Sequence, residues 1–197
     1  MKTRVALISG KKQHGKNTVA NYLKVFGKGR GFNVVEMAFA DPLKESAQLI
    51  FRLTPRQIWN GDDKEKLDER WGMTPREIMQ KLGTEIGRNI SPDVWVRNLC
   101  YRIQEADFEK NCPNPTLVVV TDCRFPNEVE LPKKILGNVS VVRVSRRDMP
   151  STPFDNHPSE TALDEYTGWD YFIANDSGMD GLKDSVENLA TFLFQGE

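Results

Sequence analysis

The stretch "RVALISGKKQHGKNTVANYLKV", residues 4–25, contains three sequence patterns in succession. Residues 4–9 are mostly apolar, which predicts a short strand buried on both faces. A basic turn bounded by glycines follows, and residues 17–25 then place apolar side chains at the spacing of a helix. A strand, a glycine-rich turn and a helix in this order predict the first unit of a parallel α/β sheet.

The turn matches the pattern GxxxxGK, with Thr18 one position later than the serine or threonine of the usual phosphate loop. Gly10 and Gly15 let consecutive backbone N–H groups point at one anion, and the positive end of the following helix adds to the attraction. Lys16 would reach the outer phosphates of a nucleoside triphosphate. The alternative is a surface turn in which glycine and lysine cluster by chance. The position between a strand and an amphipathic helix favours phosphate binding.

Further apolar runs predict four more strands, at residues 33–39, 117–121, 139–144 and 171–174. Strands that alternate with helices imply right-handed crossovers and a parallel sheet that is covered on both sides. We therefore predict a three-layer α/β fold, with a five-stranded parallel sheet, in a single domain over residues 1–197.

The region of about residues 42–112 is predicted to be largely helical. Thr54 and Thr74 each begin a capping box with proline in its first turn, and Ser91 precedes a third helix start. Asp41 is predicted as the N-cap of a helix that has proline at its first position. The charged run of residues 61–70 is typical of a solvated connection or an exposed helix. A last amphipathic helix is predicted over about residues 182–194.

The composition limits the class of protein. Hydrophobic residues make up 39% of the 197 residues, charged residues 28%, and the formal net charge is −1. These values describe a soluble globular protein without the basic surface expected for binding polymeric nucleic acid. No apolar run reaches membrane-spanning length and no signal-peptide pattern is present, so we expect a cytoplasmic protein with reduced thiols.

An acidic residue ends the most apolar strand. In "VVVTDCR", residues 118–124, Asp122 comes two positions before Arg124. Asp122 would help to hold Mg²⁺, directly or through water, or would hold a substrate hydroxyl or base edge. Arg124 and Glu128 would lie at the carboxyl edge of the sheet, where ligands bind in open α/β folds. The alternative is a capping aspartate followed by a surface arginine.

The segment after the strand of residues 139–144 is long and polar. It begins with Arg146 and Arg147 and continues through about residue 165 as a predicted lid-like segment. Guanidinium groups on such a segment stabilise the charge of a transferred phosphoryl group. The alternative is an exposed loop with an incidental arginine pair. His157 is interpreted as a capping or packing residue.

These residues together resemble the phage and bacterial deoxynucleoside monophosphate kinase family. The resemblance covers nearly the whole chain, and its motifs are "GKKQHGKNTVA" (10–20), "AFADPLK" (38–44), "IMQKLGTEIGRNISPDVWV" (78–96), "VVVTDCRFPNEVE" (118–130), "HPSE" (157–160) and "IANDSGMDGL" (173–182). It implies a P-loop kinase fold with a mobile lid, and ATP-dependent phosphorylation of a deoxynucleoside 5′-monophosphate (dNMP) to the diphosphate with Mg²⁺. It also implies a homodimer, in the host cytoplasm if the chain is of phage origin.

The resemblance also implies roles for individual residues. The ATP-binding set is Gly10, Gln13, Gly15, Lys16, Asn17 and Thr18 at the phosphates and Asn175 near the adenine. The acceptor-binding set is Leu43, Lys44, Gly83, Arg88, Trp95, Asp122, Arg124 and Glu128. The catalytic set is Lys16, Arg124, Arg146 and Arg147. For Trp95, and more so for Trp59, packing in the core is the competing interpretation.

The chain departs from the family pattern at two positions. Family members often have arginine at the position of Gln13 and an acid at that of Asn17. The first change weakens the phosphate clamp unless a neighbouring cation compensates, and the second alters how water on Mg²⁺ is held. Two other functions remain as alternatives: a P-loop kinase of another acceptor, such as phosphomevalonate or a modified base in DNA, and a non-catalytic nucleotide-binding module.

Overall fold

The computed structural model describes residues 3–147 and 158–195. The chain divides into two compact units. The sheet unit comprises Met1–Ala38 and Leu99–Glu197, and the helical unit comprises Phe39–Asn98. Each unit is described by itself below.

The sheet unit is built on five parallel strands. They are β1 (Thr3–Ser9), β2 (Asn33–Met37), β3 (Thr116–Cys123), β4 (Val139–Ser145) and β5 (Tyr171–Ala174). Their order is β2-β3-β1-β4-β5, so β1 is central and pairs with β3 on one side and β4 on the other. Since all five strands run in one direction, their carboxyl ends share one edge of the sheet. The predicted five-stranded parallel sheet is confirmed.

Helices surround this sheet. They are α1 (Lys16–Gly29), α6 (Phe108–Asn111), α7 (Pro126–Leu136), α8 (Pro158–Thr161), α9 (Gly178–Phe194) and the second part of α5 (Val94–Glu105). On one face, alternate strand residues such as Ala6 and Ile8 pack with Leu23 of α1 and Leu189 of α9. On the other face, residues such as Leu7 are equally buried. Burial of both faces explains why the strands read as continuous apolar runs rather than alternating ones.

The helical unit contains α2 (Asp41–Phe51), α3 (Pro55–Trp59), α4 (Pro75–Gln80) and the start of α5. A 3₁₀ helix (Asp63–Glu65) follows α3, and a π-helix (Lys81–Arg88) continues α4. The predicted capping boxes at Thr54 and Thr74 are both present. Each threonine hydroxyl accepts the N–H of the third helical residue, whose side chain accepts the threonine N–H in return.

One local prediction was wrong. Asp41 is the first residue of α2 rather than its N-cap, because Ala40 already has right-handed helical dihedrals (φ −81°, ψ −5°). The charged run of residues 61–70 is largely exposed, as predicted, and its one buried member is Asp68, which is 7% exposed. Its carboxylate accepts hydrogen bonds from Gln57 Nε2 (2.9 Å) and from Arg70 Nε (2.8 Å), which replace the water lost on burial.

Candidate functional site

The phosphate loop, residues 10–18, connects the central strand β1 to α1 at the carboxyl edge of the sheet. Two of its glycines are required by their surroundings. A Cβ on Gly10 would collide with the carbonyl oxygen of Val144 in β4. Gly15 has φ 101°, and a Cβ there would lie 2.7 Å from Nδ2 of Asn175. The loop therefore approaches β4 and the end of β5 more closely than a side chain at either position would permit.

The side chain of Lys16 forms hydrogen bonds back to the start of the phosphate loop. Its Nζ donates hydrogen bonds to the carbonyls of Gly10 (2.6 Å) and Lys11 (2.8 Å). Burial is the main cause that lowers the pKa of Lys16 to about 8, and the guanidinium of Arg124 lowers it further. Lys16 is thus a desolvated cation beside a second cation, Arg124, and a bound anion would stabilise both charges.

Two polar contacts support the loop from the neighbouring strands. The amide of Asn175, which is 9% exposed, donates a hydrogen bond of 3.0 Å to the carbonyl of His14. The backbone N–H of Arg146 donates one of 3.2 Å to Nδ1 of His14. Burial is the largest cause of the lowered pKa of His14, with a further contribution from the charge of Lys16. Direct hydrogen bonds at His14 thus connect the phosphate loop to two residues of the predicted site, Asn175 and Arg146.

Arg124 follows β3 and lies near the loop. Its guanidinium forms an ion pair with Glu160, and its Nη1 lies 3.4 Å from the hydroxyl of Ser159. Its backbone N–H donates to Glu128 (2.7 Å), which also accepts the N–H of Phe125 (3.1 Å). Glu128 is 4% exposed, so this carboxylate fixes the backbone that carries Arg124 at the start of α7.

The charge of Asp122 is one of the causes that raise the pKa of Lys16, although burial lowers this pKa overall. In residues 3–147 and 158–195, no group of three or more histidine, cysteine, aspartate or glutamate side chains is placed to hold a metal ion.

Arg143 of β4 is a site residue that the sequence analysis missed. Its guanidinium donates to Asp164 (2.8 Å) and to the hydroxyl of Ser9 (3.3 Å). Its charge is among the causes that lower the pKa values of Lys16 and His14. The signal in the sequence was a single arginine inside the apolar strand "VSVVRVS".

Arg146 and Arg147, which follow β4, contact different residues. Arg146 contacts His14 through its backbone, as described, whereas Arg147 contacts Asp176. The N–H of Arg147 donates to this carboxylate at 2.8 Å, and its Nε lies 3.5 Å from it. Residues 148–157 of the predicted lid-like segment, with His157, lie outside the described residues.

In the helical unit, the structure brings together three residues of the predicted acceptor set. A Cβ on Gly83 would lie 2.9 Å from Cδ2 of Leu43, and the indole N–H of Trp95 donates to the carbonyl of Gly83 at 3.0 Å. The Trp95 ring also packs on Gly87, where a Cβ would lie 2.5 Å from Cζ2. The two glycines of the π-helix thus leave room for Leu43 and Trp95, and π geometry is frequent at functional sites.

Two further members of the acceptor set lie elsewhere in this unit. The ammonium of Lys44 lies 3.9 Å from the centre of the Trp59 ring, a cation–π contact. Trp59 is 58% exposed, so it is not the core residue that the sequence analysis favoured. Arg88 is the last residue of the π-helix.

The parallel sheet and the cationic loop after β1 define an α/β protein of the phosphate-loop kinase class. Comparison with known proteins gives the family. The family model for deoxynucleotide monophosphate kinase matches residues 57–186, and the chain belongs to this family. The matched residues include Arg124 and Trp95 but not the phosphate loop, whose interpretation depends on its own sequence and geometry.

Individual relatives agree with this assignment. A provisionally named deoxynucleotide monophosphate kinase of Acanthamoeba polyphaga mimivirus is 34% identical over 177 residues, which cover 85% of this chain and 86% of the relative. The deoxynucleoside-5′-monophosphate kinase of Escherichia phage T5 is 28% identical over 70% of this chain and 53% of its own length. An uncharacterized protein, ORF77, of Ictalurid herpesvirus 1 is 33% identical over 60% of this chain and 47% of its own. The chain thus spans about half the length of the last two relatives.

The family assignment confirms the predicted enzyme class, a phosphotransferase that phosphorylates deoxynucleotide monophosphates. Among the described residues, every helix is too short or too polar to cross a lipid bilayer. The three cysteines are free.

Proposed function

We propose that this chain transfers the γ-phosphoryl group of ATP to a deoxynucleoside 5′-monophosphate. An oxygen of the acceptor phosphate forms a bond to the γ-phosphorus, the bond from that phosphorus to the β–γ bridging oxygen breaks, and ADP leaves. The observation that carries the proposal is the enclosed ammonium of Lys16, which is bonded to the phosphate loop and flanked by Arg124. Charge and positioning supply most of the catalysis in phosphoryl transfer.

The phosphate loop would bind the donor triphosphate. Backbone N–H groups at Gly15, Asn17 and Thr18 begin α1, where the helix dipole favours an anion. Gln13 has left-handed dihedrals (φ 64°), which supports a loop curled for binding rather than an ordinary turn. Lys16 would neutralise the outer phosphates, and Asn175 would keep the loop in position through His14.

The acceptor would bind with its phosphate towards Arg124. We assign the apolar pair Leu43 and Trp95 to the wall of the nucleoside site, since both pack against the π-helix. Lys44 and Arg88 of the helical unit are included as acceptor-binding residues on the family resemblance alone. Glu128 acts indirectly in this proposal, because it holds the backbone of Arg124.

The transferring phosphoryl group carries developing negative charge. Arg124 would stabilise it from the β3 side, and Arg146 or Arg147 from the end of β4. Arg143 adds positive charge behind the loop and is held by Asp164. Removing water from this group of cations strengthens their interaction with the phosphates.

Mg²⁺ fits this arrangement as a cation held mainly by phosphate oxygens and water. In this proposal Asp122 would hold one of these waters, which is consistent with the effect of its charge on the pKa of Lys16. Asn17 provides an amide where the family often has an acid, so the protein supplies less negative charge to the ion. Bound Mg²⁺ would neutralise phosphate charge and orient the γ-phosphoryl group.

The test is a substrate panel. Purified protein is incubated with ATP and Mg²⁺ and one acceptor at a time: each dNMP, each ribonucleoside monophosphate, phosphomevalonate, or a DNA duplex. We expect ADP and the deoxynucleoside diphosphate with at least one dNMP. The Lys16→Ala variant should be inactive, whereas Lys28→Ala, an exposed lysine at the other end of α1, should match the wild type. ADP formed only with phosphomevalonate or DNA, or no ADP with any acceptor, would refute the proposal.

A further inference from the structure

The motif "HPSE" includes one glutamate to which the proposed reaction gives no role. Glu160 lies in the short helix α8 (Pro158–Thr161), and its side chain is only 8% exposed. A buried carboxylate needs partners to offset its desolvation. The partners of Glu160 come from two different parts of the sheet edge.

Each carboxylate oxygen of Glu160 has its own partner. Oε1 forms an ion pair with the guanidinium of Arg124, which follows β3. Oε2 accepts the backbone N–H of Lys12 in the phosphate loop at 2.8 Å. One carboxylate therefore joins the arginine proposed to serve the acceptor to the loop proposed to hold the donor.

A second carboxylate makes a similar bridge four residues later. Asp164 lies 3.2 Å from Nζ of Lys11 and 2.8 Å from Nη2 of Arg143. Glu160 and Asp164 thus reach consecutive residues of the phosphate loop, and each also holds an arginine. The described end of the lid-like segment therefore contacts the loop at two points.

Charge gives Glu160 a second effect on the same site. Lys16, Arg124 and Arg143 are three cations close enough for the two arginines to lower the pKa of Lys16. The charge of Glu160 acts in the opposite direction and raises that pKa. An arginine side chain also loses rotamer entropy when it is fixed, and a partner that fixes it beforehand removes this cost from the reaction.

We propose that Glu160 is a positioning residue that holds the guanidinium of Arg124 against the phosphate loop. The proposal rests on the proposed function, in which Arg124 serves the phosphate groups. Glu160 touches neither substrate in this role and acts through Arg124 and Lys12. Removal of Glu160 would leave the Arg124 guanidinium with only its 3.4 Å contacts to Ser159, so that it could turn away from Lys16. The phosphate loop would keep its glycines and its lysine.

The first experiment is a double-mutant cycle on the kinase reaction. We expect Glu160→Ala to lower kcat/KM for the dNMP about 10- to 100-fold. Glu160→Gln should fall between this variant and the wild type, because its amide oxygen still accepts the N–H of Lys12. In an Arg124→Ala background, Glu160→Ala should have little further effect. Glu165→Gln, an exposed glutamate five residues on, is the matched control and should match the wild type.

A second measurement does not depend on turnover. The guanidinium NMR signals of Arg124, assigned with the Arg124→Ala variant, should show hindered rotation in the wild type and averaged signals in Glu160→Gln. Thermal unfolding of each variant shows whether it is folded. Unchanged Arg124 signals in folded Glu160→Gln, or additive losses in the cycle, would overturn the proposal. A wild type that shows the NMR difference but no kinase activity would instead refute the proposed function alone.

Discussion

The backbone N–H of Arg146 donates a hydrogen bond to Nδ1 of His14, with 3.2 Å between the nitrogens. This geometry requires an unprotonated Nδ1, since a protonated nitrogen is no acceptor. The neutral imidazole of His14 thus connects the end of β4 to the phosphate loop through a hydrogen bond. Burial is the largest cause that lowers the pKa of His14, and the charges of Lys16, Arg143 and Lys11 lower it further, whereas a backbone hydrogen bond with Val144 raises it.

The first prediction concerns this histidine. We expect an NMR titration of the imidazole C–H signals to give His14 a pKa below the ordinary value of about 6.5. Because the pKa of His14 is lowered in the folded state, neutral His14 contributes its full stability to the fold at pH values above its unfolded-state pKa. This contribution is lost as the pH falls through its folded-state pKa. His14→Asn identifies the signal, and His157 provides an internal comparison. A pKa of His14 at or above 6.5 would contradict the described hydrogen bond.

Lys16 gives the second prediction, with the opposite direction in pH. Its ammonium loses its proton as the pH rises through about 8. Because only the charged form attracts a triphosphate, the Kd of a non-hydrolysable ATP analogue should rise about tenfold between pH 7 and pH 9.

Lys16→Arg is the control for this titration. Arginine stays charged throughout the range, so the variant should show a weaker but pH-independent affinity. A wild-type Kd that stays constant up to pH 9 would mean that the lysine is not desolvated as described.

The third prediction compares two glycines. Gly15→Ala forces a left-handed residue to carry a side chain that would lie 2.7 Å from Asn175. We expect a loss of about 1–3 kcal/mol in the free energy of unfolding and weaker binding of the ATP analogue. Gly29→Ala, at the other end of α1, meets no atom within 4 Å and should change stability by less than about 1 kcal/mol. Urea unfolding measures both. Equal effects of the two substitutions would argue against the close contact at Gly15.

The fourth prediction distinguishes an effect on use of the acceptor from an effect on binding of the donor. Arg124→Ala should lower kcat/KM for the dNMP by about 10²- to 10³-fold, with a much smaller change in the Kd of the ATP analogue. Arg124→Lys keeps the charge but not the planar fork, so it should recover only part of the loss. Steady-state kinetics with the dNMP varied at saturating ATP give the comparison. Normal saturation by the dNMP in Arg124→Ala would remove Arg124 from the acceptor site.

Local sequence was sufficient for most of the fold. The strands were predictable because burial on both faces of a parallel sheet leaves continuous apolar runs, as in "LVVVT" of β3. The capping boxes at Thr54 and Thr74 were predictable because all their hydrogen bonds lie within four residues. The start of α2 was predicted to within one residue, and only its N-cap differs, because Ala40 already has helical dihedrals.

The contacts that support the loop were not predictable in this way. Asn175 and His14 are 161 residues apart, and Arg124 and Glu160 are 36 apart. Such pairs are set by the order of strands in the sheet, which brings the ends of β3, β4 and β5 beside the loop. The sequence predicted that these residues lie at the carboxyl edge of the sheet, and the structure shows which of them contact one another. The roles of the acceptor residues remain predictions.

The central claim is that the amides after β1 and the ammonium of Lys16 bind a nucleoside triphosphate. Titration calorimetry with a non-hydrolysable ATP analogue and Mg²⁺ measures this directly. We predict one site per chain in the wild type and loss of binding in folded Lys16→Ala, with Lys28→Ala unchanged. No heat of binding in the wild type, or equal affinity in Lys16→Ala, would contradict the claim.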